Sequence, residues 1–278
     1  TSAGLTVDAL REMRRALEQD AALAPLLADE GYTGIGLFPS DDGQDLLRRI
    51  DSLEFDLVFA PASVFVRQVA GYRVILQVRR PGDLVNPRGG GALQRGLAFV
   101  SARSPLFAEA DAGPSRVAEV LQSTPLGVPA SQSLAGFTAP MLQLAERHGV
   151  TRHDGGLVWY PSGADVTKAV LAGLVDAGVC EAGIHEMVLR RAGIEGQAGQ
   201  LRRVLFQTNP LPVDPVLARP ALDPEVSELG RELKRALRAL SFSQEFGELS
   251  LQSASDEDYA AVPELLDRFA RVLGTLRP

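Results

Sequence analysis

One cysteine in 278 residues, Cys180, has no partner for an internal disulfide and excludes a zinc site built from several thiolates. Long apolar runs are missing as well: no stretch of about 18 apolar residues occurs, so no segment reads as a membrane-spanning helix. Basic runs are absent, and the net charge is −7, which argues against a nucleic-acid surface. Lysine is scarce, occurring only at Lys168 and Lys234, a scarcity that fits codon bias better than function. An acidic total still allows a locally positive pocket, so an anionic ligand is not excluded. No internal repeat, low-complexity segment or signal peptide is visible. The first residues are Thr1-Ser2-Ala3 rather than Met, and residues upstream of them are expected.

Apolar material is ample. Hydrophobic residues make up 45% and charged residues 23%, enough for two lobes of ordinary domain size. Helical spacing of Leu5, Leu10, Met13, Leu17, Leu23 and Leu27 predicts a helix over 5–27. Short strands are expected at 34–38, 55–60, 73–78 and 96–101, with a helix over 45–53, a short one from 64 and a loop or hairpin at 83–95. The same alternation returns: helices at 115–121, 135–148, 165–174 and 184–192, and strands at 126–128, 156–160, 176–180 and 201–206. Past 215 a strand at 216–218 leads to helices at 223–240 and 262–276. Strands alternating with helices imply an α/β protein with mainly parallel sheets. The Pro-rich stretch 209–215 reads as a crossover between lobes, with its outbound match near Arg103-Ser104-Pro105. Two crossings make the lobes discontinuous, 1–102 plus 214–278 and 103–213, with both C-terminal helices in the first.

Three places share one design, a short strand, a turn of small or Ser residues, then a helix. They are Val58-Phe59-Ala60-Pro61-Ala62-Ser63, the stretch from Val128 through Ser131 and Ser133 to Gly136, and Trp159-Tyr160-Pro161-Ser162-Gly163-Ala164-Asp165. A helix start leaves free backbone N–H groups, and these with the helix dipole favour an anion. A serine hydroxyl there can donate once more. The plain alternative is that each serine only caps its own helix.

Read in order, these segments resemble the phosphate/phosphite/phosphonate-binding periplasmic proteins of ABC transporters. Ser131-Gln132-Ser133-Leu134-Ala135-Gly136-Phe137 through Pro140 is similar to that family's Ser-x-Ser-Gly-Tyr/Phe…Pro loop. Ser162-Gly163-Ala164-Asp165 with the stretch to Asp176-Ala177-Gly178 resembles its Ser-His-Asp-Ala…Gly-x-x-Asp-Ala segment, and Phe55-Asp56-Leu57-Val58 to Phe65 its Val-Asp-Leu-Ala…Tyr stretch. The match runs over about 34–270. It implies a two-lobed type II periplasmic-binding fold with a hinge, a central ligand cleft and a small oxyanion held by clamp closure. Ser133 and Ser162 would donate to that oxyanion, with Ser63, Ser131, Tyr160 and Gly163 beside them and Phe65 in the place of a family Tyr. The partners implied are a membrane permease, or a sensor kinase if the protein reports its ligand. The location implied is periplasmic or lipid-anchored, the state a monomer, and no cofactor is expected.

Departures from the pattern bear on the ligand. Where the family often has Ser-Thr-Ser, this chain reads Ser133-Leu134-Ala135, and Gly163-Ala164 stand where His-Asp is usual. Each donor lost from a desolvated site costs an anion on the order of 1–3 kcal/mol, so a less charged or larger ligand than phosphate or phosphonate is expected. The family's first strand is also missing from the sequence. Arg103, always charged and bidentate, is a further candidate ligand. Cys180 at a strand end is either a small buried apolar residue or a thiol for a soft metalloid oxyanion such as arsenite. His185 follows it, but a Cys–His nucleophile would need an orienting group and an oxyanion hole. With no credible acid, base or nucleophile cluster, a binding protein is expected rather than an enzyme of thiamine-precursor chemistry on the same fold.

Overall fold

The computed structural model describes residues 7–39, 43–65, 71–80, 83–85, 92–109, 113–129, 133–151, 155–244 and 247–274. In chain order the strands are β1 (Leu57–Phe59), β2 (Arg73–Arg79), β3 (Leu84–Val85), β4 (Ala92–Gln94), β5 (Gly96–Ser101), β6 (Leu126–Val128), β7 (Leu157–Trp159), β8 (Ala177–Glu181), β9 (Arg202–Gln207), β10 (Leu211–Pro212), β11 (Pro215–Ala218), β12 (Ser241–Gln244) and β13 (Gly247–Ser253). The chain divides into two compact units, residues 1–93 with 212–262, and residues 94–211 with 263–278.

Unit 1 is built on a sheet in the order β1-β11-β2-β13-β12, and its described pairs are all antiparallel. Its core joins the inner faces of β2, β11 and β13 to helices Val7–Glu18 and Glu228–Arg238 through Met13, Leu17, Leu76, Val78, Val216, Leu233, Leu237 and Leu251. The single helix expected over 5–27 is two, Val7–Glu18 and Leu23–Asp29. The break has a local cause: the Asp20 carboxylate accepts the N–H groups of Ala22 and Leu23 and an Arg235 guanidinium at 2.6 Å, so it starts a new helix. The strand expected at 34–38 is not paired. The Ile35 N–H goes to the Glu18 carboxylate at 3.2 Å, and a cavity of about 270 Å³ lined by Ile35, Leu37, Phe55, Leu57 and Phe59 lies beside β1. Arg80 and Asp214 form a largely buried ion pair at 3.1 Å.

Unit 2 holds a mixed sheet in the order β7-β6-β8-β5-β9. Only β6–β7 and β6–β8 are parallel; β5 runs against both β8 and β9. The expectation of mainly parallel sheets therefore holds only where strand and helix strictly alternate, over 126–181. Elsewhere strands enter from the chain crossings or, like β12 and β13, from a hairpin that periodicity did not signal. Gly96 allows the close packing at one end of β5, since a Cβ there would lie 2.0 Å from the Ala135 carbonyl oxygen. Apolar residues cover both faces, with Leu106, Val117, Leu126, Phe137, Met141 and Val179 in one cluster and Leu97, Phe99, Val166, Val170 and Cys180 in another.

The lobe boundaries read from sequence differ from these units. The first crossing lies at 93/94 rather than 102/103, because β5 pairs with β8 and β9 along its whole length. The last helix, Val262–Leu273, does not return to unit 1. Phe269 packs edge-on against Phe137 at 5.7 Å between ring centroids, and Arg268 pairs with Glu146 at 2.5 Å.

Candidate functional site

β6, β7 and β8 are parallel neighbours, so their carboxyl ends share one edge of the unit 2 sheet. Each strand leads into a helix: β6 into the helical stretch 134–148, β7 into Gly163–Ala172, and β8 into Ala182–Arg191. Their positive dipole ends are thereby gathered at one edge, the arrangement that open α/β sheets use for ligands.

Ser133 is the N-cap of the first helix, and its Oγ accepts the Gly136 N–H at 2.9 Å. The helix begins with a π turn, Leu134–Thr138, in which the N–H groups of Phe137 and Thr138 both reach the Ser133 carbonyl. Pro140 explains the widened turn, since it has no N–H for the α-helical ladder. Ser162 caps the second helix. Its hydroxyl accepts the Asp165 N–H at 3.2 Å and donates to the Asp165 carboxylate at 2.7 Å, so its single hydrogen is already committed. The N–H groups of Gly163 and Ala164 meet no acceptor among the described residues.

Between these two helix starts lies the carboxylate of Glu181, the last residue of β8. Ser133 Oγ donates to Glu181 Oε1 at 2.5 Å. A Cβ on Gly136 would stand 2.5 Å from Oε1, and a Cβ on Gly163 would stand 2.5 Å from Oε2, so both positions admit the carboxylate only because they are glycine. Glu181 is the N-cap of its own helix, yet its side chain does not cap it. Among the described residues no Arg, Lys or His pairs with this half-buried carboxylate. Its charge is met by one hydroxyl and two helix dipoles, the groups expected of an oxyanion seat.

Of the residues singled out from sequence, Ser133 and Gly163 touch this carboxylate, and Ser162 borders it with its hydroxyl turned to its own helix. The other candidates lie elsewhere. Tyr160 packs its ring against the apolar cluster of Phe99, Val166 and Val170. Arg103 is at the far end of helix Gly163–Ala172, where Nη1 donates to the Gly173 carbonyl at 3.0 Å, a cation complementing the negative end of the dipole. Cys180 faces the core, fully buried, with Sγ 3.5 Å from Thr167 Oγ1. Burial pushes its thiol well above the ordinary range, and burial also pulls the neighbouring His185 down to about 3. Thr167 lies between them, 3.4 Å from His185 Nδ1, and neither residue of the pair is ionised near neutral pH. Ser63 is buried in unit 1, in the one-turn helix Ala62–Phe65 after β1. Phe65 ends that turn, and its side chain lies outside the described set; Ser131 lies outside the described residues altogether. Glu181 is the site residue that sequence reasoning passed over. Its signal was an acidic side chain at a strand end that leads straight into a helix.

Comparison with known proteins places this geometry. A search of curated proteins finds no match. Among solved structures, a binding protein component of an ABC phosphonate transporter from Pseudomonas aeruginosa superposes with a TM-score of 0.63 at 12% identity, over 97% of this chain and 85% of that one. A Prochlorococcus marinus protein in complex with methylphosphonate gives 0.62 at 15% identity, over 96% of both chains. A Xanthomonas citri protein bound to chloride ion gives 0.66 at 17% identity, also over 96% of both. These likenesses establish the fold, the two-lobed type II periplasmic-binding architecture. The family model described as "ABC transporter, phosphonate, periplasmic substrate-binding protein" matches residues 11–262. This chain belongs to that family of extracytoplasmic ABC-transporter substrate-binding proteins.

Proposed function

We propose that the chain is the periplasmic or membrane-anchored receptor of an importer and takes a small oxyanion of the phosphonate or phosphite class at the helix starts around Ser133 and Gly163. The observation that carries this reading is the meeting of two capped helix starts on one carboxylate at the shared edge of β6, β7 and β8. A serine hydroxyl that already donates to an internal carboxylate, beside two helix starts, is a donor of the right kind for an external oxyanion. The partner implied is a permease with its ATPase, as in the family, rather than a sensor kinase.

Neutral Cys180 and His185 speak against both a thiol-based metalloid site and nucleophilic catalysis at this place. Buried in an apolar cluster and protonated, the thiol offers a soft oxyanion no thiolate. The reading is therefore of a binder whose work is selection.

The test is a thermal-shift and calorimetric series with phosphite, phosphate, methylphosphonate and methanesulfonate. A ligand present at 100 times its Kd stabilises the native state by about 2.7 kcal/mol. At least one probe is expected to raise the melting temperature, and Ser133→Ala is expected to weaken that probe's binding. Equal affinity in Ser133→Ala would remove the site from this part of unit 2. The absence of any shift across the series would overturn the oxyanion reading.

A further inference from the structure

We infer that Glu181 is a resident carboxylate of the oxyanion seat and sets its specificity: the seat favours singly charged oxyanions over doubly charged tetrahedral ones. The inference rests on the proposed oxyanion-binding function and deepens it.

Three features of unit 2 lead there. The first is competition for one hydrogen. Ser133 carries a single O–H, and it is given to Glu181 Oε1 at 2.5 Å. An oxyanion drawing on Ser133 must take that hydrogen from the carboxylate or bind next to it. The second is contact. Glu181 lies against Gly136 on one helix and Gly163 on the other, so an anion reaching the first amides of either helix is a near neighbour of its charge. The third is charge balance. A helix start offers the equivalent of about half a positive charge, so two starts match about one negative charge. Glu181 supplies that charge already, and among the described residues no cation is paired with it to restore the balance.

The sequence around the seat agrees. Leu134 and Ala135 contribute no hydroxyl, and Gly163 and Ala164 contribute no side-chain donor. A doubly charged ligand would meet a seat with one committed hydroxyl, two helix starts and a standing negative charge. A singly charged ligand meets half the repulsion from Glu181 and needs fewer donors.

The experiment uses the full chain, as the unaltered protein, as Glu181→Gln, which keeps the shape and removes the charge, and as Glu181→Ala, which empties the seat. Calorimetry at about pH 8 compares methanesulfonate, singly charged, with methyl phosphate, a monoester that is doubly charged there. The unaltered protein is expected to prefer methanesulfonate. Glu181→Gln is expected to move the affinity ratio toward methyl phosphate by at least about tenfold. Formate, a free carboxylate, is expected to raise the melting temperature of Glu181→Ala by more than that of the unaltered protein. A ratio that stays within about twofold in Glu181→Gln, with both probes still bound, overturns the specificity role and leaves the transport reading standing. If neither probe binds any of the three proteins, the oxyanion reading falls and takes the specificity claim with it.

Discussion

Removing the Ser133 hydroxyl tests whether helix capping and the Glu181 contact are one device. In Ser133→Ala the Gly136 N–H loses its acceptor and Glu181 Oε1 loses its donor. Loss of a serine N-cap costs about 1 kcal/mol. The carboxylate is only half-buried, so water can replace part of its lost bond, and about 1 kcal/mol at the low end of the usual range is the share to assign. The sum is about 2 kcal/mol, which for a chain of this size lowers the melting temperature by about 4–8 °C. Glu181→Ala, which removes the acceptor, and the double variant complete the cycle, measured by circular dichroism in buffer free of phosphate, sulfate and carboxylates. If the two side chains act together, the double variant is less destabilised than the sum of the singles by about 1 kcal/mol. Additivity within about 0.3 kcal/mol, or a drop of under about 1 °C in Ser133→Ala, would refute the coupling and with it the picture of a shared seat.

Other perturbations read other parts of the same architecture. Gly96→Ala sets a Cβ 2.0 Å from the Ala135 carbonyl, which is backbone and cannot swing aside, so a loss of about 1–3 kcal/mol is expected in a thermal melt, while Gly199→Ala, with open space around it, is expected to be neutral or stabilising. Cys180 should not react with a thiol reagent in the native protein and should react fully after unfolding, as burial and a raised pKa require. His185 is pulled down to about 3 from 6.5, so between those values the unfolded chain binds a proton that the native one refuses. The His185 contribution is therefore complete above 6.5 and falls as pH drops toward 3, by up to about 1.4 kcal/mol per pH unit, a slope that urea melts should find reduced in His185→Gln. Burial raises Asp83 to about 6, which acts in the opposite sense: this group's contribution is full below about 4 and is lost as pH rises through 6, so Asp83→Asn should remove a gain on mild acidification.

How much of this was legible in the sequence depends on where each feature gets its stability. Helices such as Ala139–His148 and Gly163–Ala172 were legible because their signals are local: serine before the first turn, an apolar stripe, and glycine in the left-handed conformation after the last, at Gly149 and Gly173. Strands β6 and β8 were legible because a strand buried on both faces reads as a short apolar run between helices. The segment 34–38 carries the same apolar run, but a strand exists only if a neighbour accepts its amides, and here the Ile35 N–H is taken by Glu18. Pairing is non-local, and so is the placement of the last helix, whose amphipathic face was visible while its docking partner Phe137 was not.

The candidate site divides along the same line. Ser133 and Ser162 could be found because capping is written into a few adjacent residues. What the hydroxyls do next could not, because it depends on what lies across the gap. Ser162 turns to Asp165, three residues on, whereas Ser133 turns to Glu181, forty-eight residues on, through the parallel pairing of β6 with β8. Counting hydroxyls predicted a seat short of donors. It did not show that a carboxylate of the chain fills that seat, and for an incoming anion the second fact weighs more. A missing donor weakens attraction, while a standing negative charge next to the same helix starts opposes every ligand of like sign and opposes the doubly charged ones most. Specificity in this protein is thus argued from a residue that neither caps nor donates. Gly136 and Gly163, whose lack of a Cβ lets Glu181 reach both helices, are the part of that arrangement a sequence reader can next look for.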